Sequence, residues 1–200
     1  FIGRTERDVA WDFAQLFHEE GAESPAFEFI VGSGPTGSHP HARAGDRKIG
    51  TGELVVIDCG CTVEGYSSDC TRTLATGPVD GRMKEAYEVV SLAQDAALGG
   101  IRAGLSGIEA DALARDVIDA SDFKGSMGHG LGHGLGLDIH EDPRLSTEST
   151  DVLAAGNVVT VEPGIYISGE FGIRIENDVV VTADGIEDMT GFRKSLTEVG

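Results

Sequence analysis

Lysine is scarce in this chain. Lys48, Lys84, Lys124 and Lys194 are the whole supply among 200 residues. Basic side chains total 15 against 34 acids, a formal net charge of −19. That balance excludes the basic surface by which proteins hold nucleic acid or an anionic membrane. No apolar run approaches the roughly 20 residues that a membrane-spanning helix requires. The paired C-x-x-C knuckles of structural zinc sites are also missing. The cysteines are Cys59, Cys61 and Cys70, and an odd number favours reduced thiols and a cytoplasmic location. Cys59 and Cys70 each follow an aspartate, so on a strand they face away from it, and core packing is preferred over a thiolate metal site.

What is present suits one globular domain covering 1–200, with 40% hydrophobic residues to build its core. The chain begins Phe1-Ile2-Gly3-Arg4 without an initiator methionine, and a trimmed domain or fragment is expected. Thr5 is placed to cap a first helix that stops at Gly21, with Val9, Trp11, Phe13, Leu16 and Phe17 as its apolar positions. Strands are expected at 27–31, 53–59, 67–76, 157–162 and 171–182. A long helix is expected at 80–99. The capping-box pair Ser106 and Glu109 starts another, to about 120. Helices and strands in this mixed order indicate α+β or α/β.

One nine-residue pattern occurs twice. Gly52-Glu53-Leu54-Val55-Val56-Ile57-Asp58-Cys59-Gly60 aligns with Gly156-Asn157-Val158-Val159-Thr160-Val161-Glu162-Pro163-Gly164. Both copies end on an acid, and a second acid follows after a hairpin-length gap. Asp58 would face Asp69 across a turn near Val63-Glu64, and Glu162 would face Glu176 across a turn near Gly169. Like charges directly opposed on a sheet repel, so two such hairpins would aim four carboxylates at something positive. An acid at a strand end is ordinarily solvated. Here the flanking runs Val55-Val56-Ile57 and Val179-Val180-Val181 are continuously apolar, the mark of strands buried on both faces.

A glycine-rich stretch then supplies His129 and His133, with His140 close behind. Its glycines make a poor helix, so this is not a helical H-E-x-x-H zinc motif. Four carboxylates and one imidazole form a hard, oxygen-rich donor set. It favours manganese, with cobalt, zinc or iron as alternatives.

These residues, in this order, resemble the pita-bread metallopeptidases: aminopeptidase P, prolidase and, more distantly, methionine aminopeptidase. The resemblance runs from Thr5 to about Lys194. It implies an α+β, creatinase/aminopeptidase-like fold, with pseudo-two-fold repeated αβ halves around a curved antiparallel sheet. It implies two divalent metal ions held by Asp58, Asp69, His133, Glu162 and Glu176, with Asp69 and Glu176 bridging. A metal-bridging hydroxide would attack the bond before proline in short peptides with proline second, and Glu162 would accept the proton. His41 is similar to the loop histidine that contacts the scissile group, and His140 to the one that stabilises the tetrahedral intermediate. Arg174 is similar to a site arginine. His129 resembles the histidine lining the pocket after the scissile bond in proline-directed members, which sets the methionine aminopeptidase alternative second. A non-catalytic or creatinase-like member is the third alternative. Proline-directed members also carry an N-terminal domain and a preceding helix, absent from these 200 residues, and a homodimer is expected of the full-length protein. His39 has no assigned role.

An acidic, lysine-poor surface fits either an ordinary cytosolic protein or a salt-adapted one. A melting temperature that rises between low and molar KCl identifies the second, and one that stays level identifies the first.

Overall fold

The computed structural model describes residues 1–200. Its first helix, α1 (Glu6–Glu19), starts where the sequence indicates. The Thr5 side chain accepts from the Asp8 amide and Asp8 reaches back to the Thr5 amide, a reciprocal cap. Gly21, at φ 96°, ends it. The expected apolar face is only partly used. Val9 is buried and Phe13 packs beside it, but Trp11 and Leu16 are 64% and 54% exposed. A buried acid ties α1 to the sheet instead: the Glu6 carboxylate accepts from the Ser33 amide and hydroxyl.

After the short β1 (Ser24–Pro25), the next strand is β2 (Ile30–Ser33), a few residues later than 27–31. A 3-10 turn, Gly34–Ser38, leads away from it. Then come β3 (Leu54–Cys59), β4 (Cys61–Val63), β5 (Tyr66–Ser67) and β6 (Cys70–Ala75). Helix α2 (Gly81–Gly100) is capped by Asp80, whose side chain accepts from the Met83 amide. Helix α3 (Gly107–Asp119) carries the anticipated Ser106–Glu109 capping box. The second half holds β7 (Gly132–Gly134), β8 (Glu141–Leu145), β9 (Val158–Val161), β10 (Gly164–Ile167), β11 (Phe171–Arg174), β12 (Asn177–Val181) and β13 (Ile186–Asp188). The terminal β14 is Thr197–Glu198.

The architecture is α+β. Four strands are ordered β14-β6-β3-β2 and five are ordered β13-β12-β9-β7-β8, with β10-β11 a separate hairpin and β1-β4-β5 a small third sheet. All pairings are antiparallel except β14 with β6. A core of 25 buried residues joins α2 and α3 to the inner strands, from Val90 and Ile118 to Val159 and Ile173. A smaller cluster of five lies under α1, where Val9 meets Val31, Ile49, Val55 and Ile57. Residues 55 and 57 thus face α1 while Leu54 faces the larger core, the period of two expected of a strand buried on both sides.

The two hairpins of the repeat differ in register. In the second, Val161 pairs with Asn177 and Gly164 with Arg174, so Glu162 stands opposite Glu176, as expected. In the first, Asp58 pairs with Thr71 rather than Asp69. The turn is centred on Glu64 and Gly65, at φ 51° and 80°, one residue later than the sequence suggests. Such a shift moves the register by two and so leaves every side chain on its face. Asp58 and Asp69 therefore share a face as diagonal neighbours. The Cys59–Cys70 pair lies on the other face. All three thiols are free and only partly buried.

Three of the four acids stand in gaps between strands. Asp69 lies between β5 and β6, Glu162 between β9 and β10, and Glu176 between β11 and β12. Their amides bond across to other elements: Asp69 to the Asp178 carboxylate at 3.0 Å, Glu162 to the Leu131 carbonyl at 2.8 Å, and Glu176 to the Thr71 carbonyl at 3.1 Å. The last bond joins the two main sheets at the acids themselves.

Gly60 lies opposite Asp69, and a Cβ there would come within 1.8 Å of the Ser68 carbonyl oxygen and 2.9 Å of the Phe27 ring. Gly60→Ala must therefore push the two arms of the first hairpin apart. We expect it to cost about 1–3 kcal/mol in chemical denaturation. A variant as stable as the parent contradicts the close approach.

Candidate metal centre and peptidase site

The two hairpins and the glycine-rich segment converge on one cleft of about 540 Å³. Asp58, Asp69, His133, Glu162 and Glu176 all line it, as do His41, His129, His140 and Arg174. Every site residue singled out from the sequence is thus in one place. His39 is not among the lining residues.

His133 sits on β7, held between β8 and β9. Its Nδ1 lies 2.9 Å from the Gly134 carbonyl, which can only accept, so Nδ1 carries the hydrogen. The bare Nε2 is left facing the acids, 3.4 Å from Glu162 Oε1 and 3.8 Å from Asp69 Oδ2. Donor atoms of Asp69, His133 and Glu176 all lie within 4.8 Å of one another. Glu176 accepts from the Thr71 hydroxyl at 2.6 Å, and Glu162 accepts weakly from Thr160 at 3.3 Å. Asp58 Oδ2 accepts from Arg174 at 2.6 Å. The remaining oxygens, Asp58 Oδ1 and Asp69 Oδ1, are buried without any partner.

Buried acids this close cannot all be charged without a cation. Burial, reinforced by Glu176 and Asp58, pushes Asp69 up to about 12. Burial likewise raises Glu176 well above the ordinary carboxylate range, with Glu162 and Asp58 adding to it. Glu162 is pushed by burial to about 7. Asp178, whose Oδ2 receives the Asp69 amide while Oδ1 has no partner, also rises to about 7, chiefly by burial. Burial holds His133 down to about 4, so its imidazole is a neutral donor. The donor set fits divalent metal: hard oxygens, one neutral nitrogen, orphaned buried oxygens and too little positive charge from the protein.

Arg174 differs in surroundings from a free substrate-binding arginine. It is 3% exposed and its guanidinium is committed internally. It donates to Asp58, to the Thr71 hydroxyl, to the Pro40 carbonyl and to the Tyr166 hydroxyl. Tyr166 in turn lies 2.8 Å from His129 Nε2, while His129 Nδ1 lies 2.7 Å from the Gly130 carbonyl. Tyr166 therefore donates to His129 and accepts from Arg174. Burial lowers His129 to about 4, keeping it neutral. His140 is exposed, and its ring stands edge-on to His133 with centroids 4.4 Å apart.

The sequence reading missed Thr71, Thr160, Tyr166 and Asp178, all of which hold a site residue in place. Thr71 and Thr160 lie two residues from Asp69 and Glu162, on the same side of the chain, so strand alternation could have found them. Tyr166 carries no comparable sequence signal. Arg144, directly opposite His133 on β8, also lines the cleft.

The profile of metallopeptidase family M24 matches residues 2–183. The Xaa-Pro dipeptidase of Pyrococcus horikoshii is 41% identical over 194 residues, covering 97% of this chain and 55% of that protein. Among solved structures, the Xaa-Pro dipeptidase from Bacillus anthracis superposes with a TM-score of 0.97 at 44% identity, covering 99% of this chain and 56% of the other. The X-Pro aminopeptidase from Thermotoga maritima MSB8 also gives 0.97, at 40% identity, covering 100% and 56%. The chain thus spans about half the length of the relatives it matches. The fold is that of the prolidases and aminopeptidases P, the pita-bread fold.

The buried acids make a prediction about pH. Above pH 7 the unfolded chain has lost its carboxyl protons, whereas folded, metal-free Asp69 still holds its own, and Glu176 is shifted in the same direction. Stability must then fall as pH rises, by about 1.4 kcal/mol per pH unit for each proton held. The neutral His129 and His133 oppose this only between about pH 4 and 6.5, so pH 7–9 is clear of them. Thermal melts of chelator-treated protein should show the decline, and saturating divalent metal should abolish it. A level metal-free profile contradicts the arrangement.

Proposed function

The chain belongs to metallopeptidase family M24, and from that premise we propose that it carries the site of an exopeptidase cleaving the bond before proline. Its substrates are Xaa-Pro dipeptides or longer peptides with proline second. The observation that carries this reading is the convergence of four acids, His133 and His129 on one cleft. The named relatives, an Xaa-Pro dipeptidase and an X-Pro aminopeptidase, support it. We assign Asp58, Asp69, His133, Glu162 and Glu176 to holding two divalent ions, manganese first, with cobalt, zinc or iron as alternatives. Bound there, the ions supply Lewis-acid polarisation of the scissile carbonyl and bring the pKa of a water toward neutrality.

The protein's own groups do the rest. Glu162 is the proton acceptor. Its carboxylate keeps only the weak Thr160 bond and opens onto the cleft. Partial desolvation, with Arg144 and His41 adding to the effect, lowers His140 from the ordinary imidazole range, and its neutral form donates an N–H to the oxyanion. His41 meets the scissile group from the opposite loop. His129, fixed by Tyr166, forms the wall against the proline ring. Arg174 acts mainly by holding Asp58. Proline has no amide hydrogen and restricts the residue before it, so this wall need satisfy no donor at that position. The full-length protein is assigned as a cytoplasmic homodimer.

The test uses full-length protein, stripped of metal and reloaded with manganese. It should cleave Xaa-Pro dipeptides or Xaa-Pro-Xaa tripeptides in preference to Met-initiated peptides. Cleavage of the Met-initiated peptides alone makes it a methionine aminopeptidase, and no cleavage of any of them makes it non-peptidolytic. Glu162→Ala should lower kcat by at least about 10²-fold. Wild-type turnover in that variant places the proton acceptor elsewhere.

A further inference from the structure

A second buried ion pair lies outside the cleft, on helix α3. Asp111 and Arg115 are one turn apart, with side chains 1% and 21% exposed. They form a two-pronged bridge, Nε to Oδ2 at 2.6 Å and a terminal nitrogen to Oδ1 at 2.9 Å. The pair does not end there. The guanidinium also donates to the Met127 carbonyl at 3.1 Å and to the His129 carbonyl at 2.7 Å. Asp111 Oδ1 accepts from the Leu131 amide at 2.9 Å. Three backbone groups of the five-residue segment 127–131 are thus fixed by one pair on a rigid helix.

That segment contains two glycines and has no regular secondary structure of its own, so its conformation depends on such anchors. It also sits between the two functions of the site. His129 is its middle residue. Leu131 is bound on both sides, with its amide on Asp111 and its carbonyl receiving the Glu162 amide at 2.8 Å. His133 follows two residues later. A shift of the segment would move the proline-facing histidine and the proton acceptor together, and sub-ångström misplacement is costly in catalysis.

We propose that Asp111 and Arg115 are positioning residues for the peptidase site: they set the Met127–Leu131 segment, and through it His129 and Glu162. This rests on the Xaa-Pro reading above. The alternative role is bare stability, and the two are separable. Removing one partner leaves the other buried and unpaired, whereas removing both is often tolerated. The informative variants are therefore Arg115→Met and the double replacement Asp111→Leu with Arg115→Met, made in the full-length protein.

In a variant that folds and binds the wild-type amount of manganese, we expect amide exchange at Leu131 and Glu162 to quicken at least tenfold. We expect the preference for Xaa-Pro over Xaa-Ala substrates, as a ratio of kcat/KM, to fall at least fivefold. Arg115→Lys, which keeps the charge but not the fork, should recover less than half of that loss. Exchange within twofold of wild type overturns the proposal. So does faster exchange with an unchanged substrate ratio, which makes the pair structural only. A wild-type protein that cleaves no Xaa-Pro peptide defeats the functional reading instead, and the exchange data then decide alone whether the pair sets the segment.

Discussion

Mutual repulsion among buried carboxylates is the constraint on which this structure turns. Asp58, Asp69 and Glu176 are each less than 10% exposed, Glu162 stands beside them, and the one buried arginine paired with their carboxylates is Arg174. A protein interior does not ordinarily assemble such a set, because each ionised member is expensive to desolvate and each raises the cost of the next. The surrounding architecture is the means of holding it together. The two apolar strand cores bury the hairpins on both faces. The gaps at Asp69, Glu162 and Glu176 release three amides to bond across elements rather than along them. Divalent metal supplies the missing positive charge, and the same concentration of acids that strains the metal-free fold makes the site able to hold it.

Hydrogen bonds from neighbouring side chains give the acids their directions. Thr71 serves Glu176 and Arg174 at once. Arg174 then links Asp58 to Tyr166, and Tyr166 fixes His129. The arginine and tyrosine thereby tie the wall facing the substrate to one of the acids. This is why Arg174, which the family resemblance suggests as a substrate contact, is spent almost wholly on other parts of the protein. The Asp111–Arg115 pair holds the segment carrying His129 from helix α3, through backbone rather than side chains.

Much of this was legible in the sequence because it is written in local patterns. The duplicated segment ending on Asp58 and Glu162 revealed two related hairpins, and the register at Glu162 and Glu176 followed from a turn correctly centred on Gly169. The first hairpin was misread by one residue at its turn, where Glu64 adopts a left-handed conformation that residue type alone does not announce. The error preserved the shared face of Asp58 and Asp69 because it changed the register by two. Trp11 and Leu16 on α1 look like core positions but remain exposed, since the strand face beneath takes Val9 and accommodates the Glu6 carboxylate. Tyr166 and the reach of the Asp111–Arg115 pair to the 127–131 segment were invisible for a different reason. Their roles come from contacts between residues distant in the chain, which no local spacing encodes. The comparison with metallopeptidase relatives places the family, whereas the roles proposed for individual side chains come from the family resemblance together with their positions in the cleft.

The central claim is that these five side chains hold two divalent ions. Elemental analysis of the full-length protein after manganese loading and removal of free metal tests it directly. The account predicts two equivalents per chain in the wild type, falling below one when Asp69 and Glu176 are both replaced by their amides. Fewer than one equivalent in the wild type, or an unchanged content in the double variant, would contradict it.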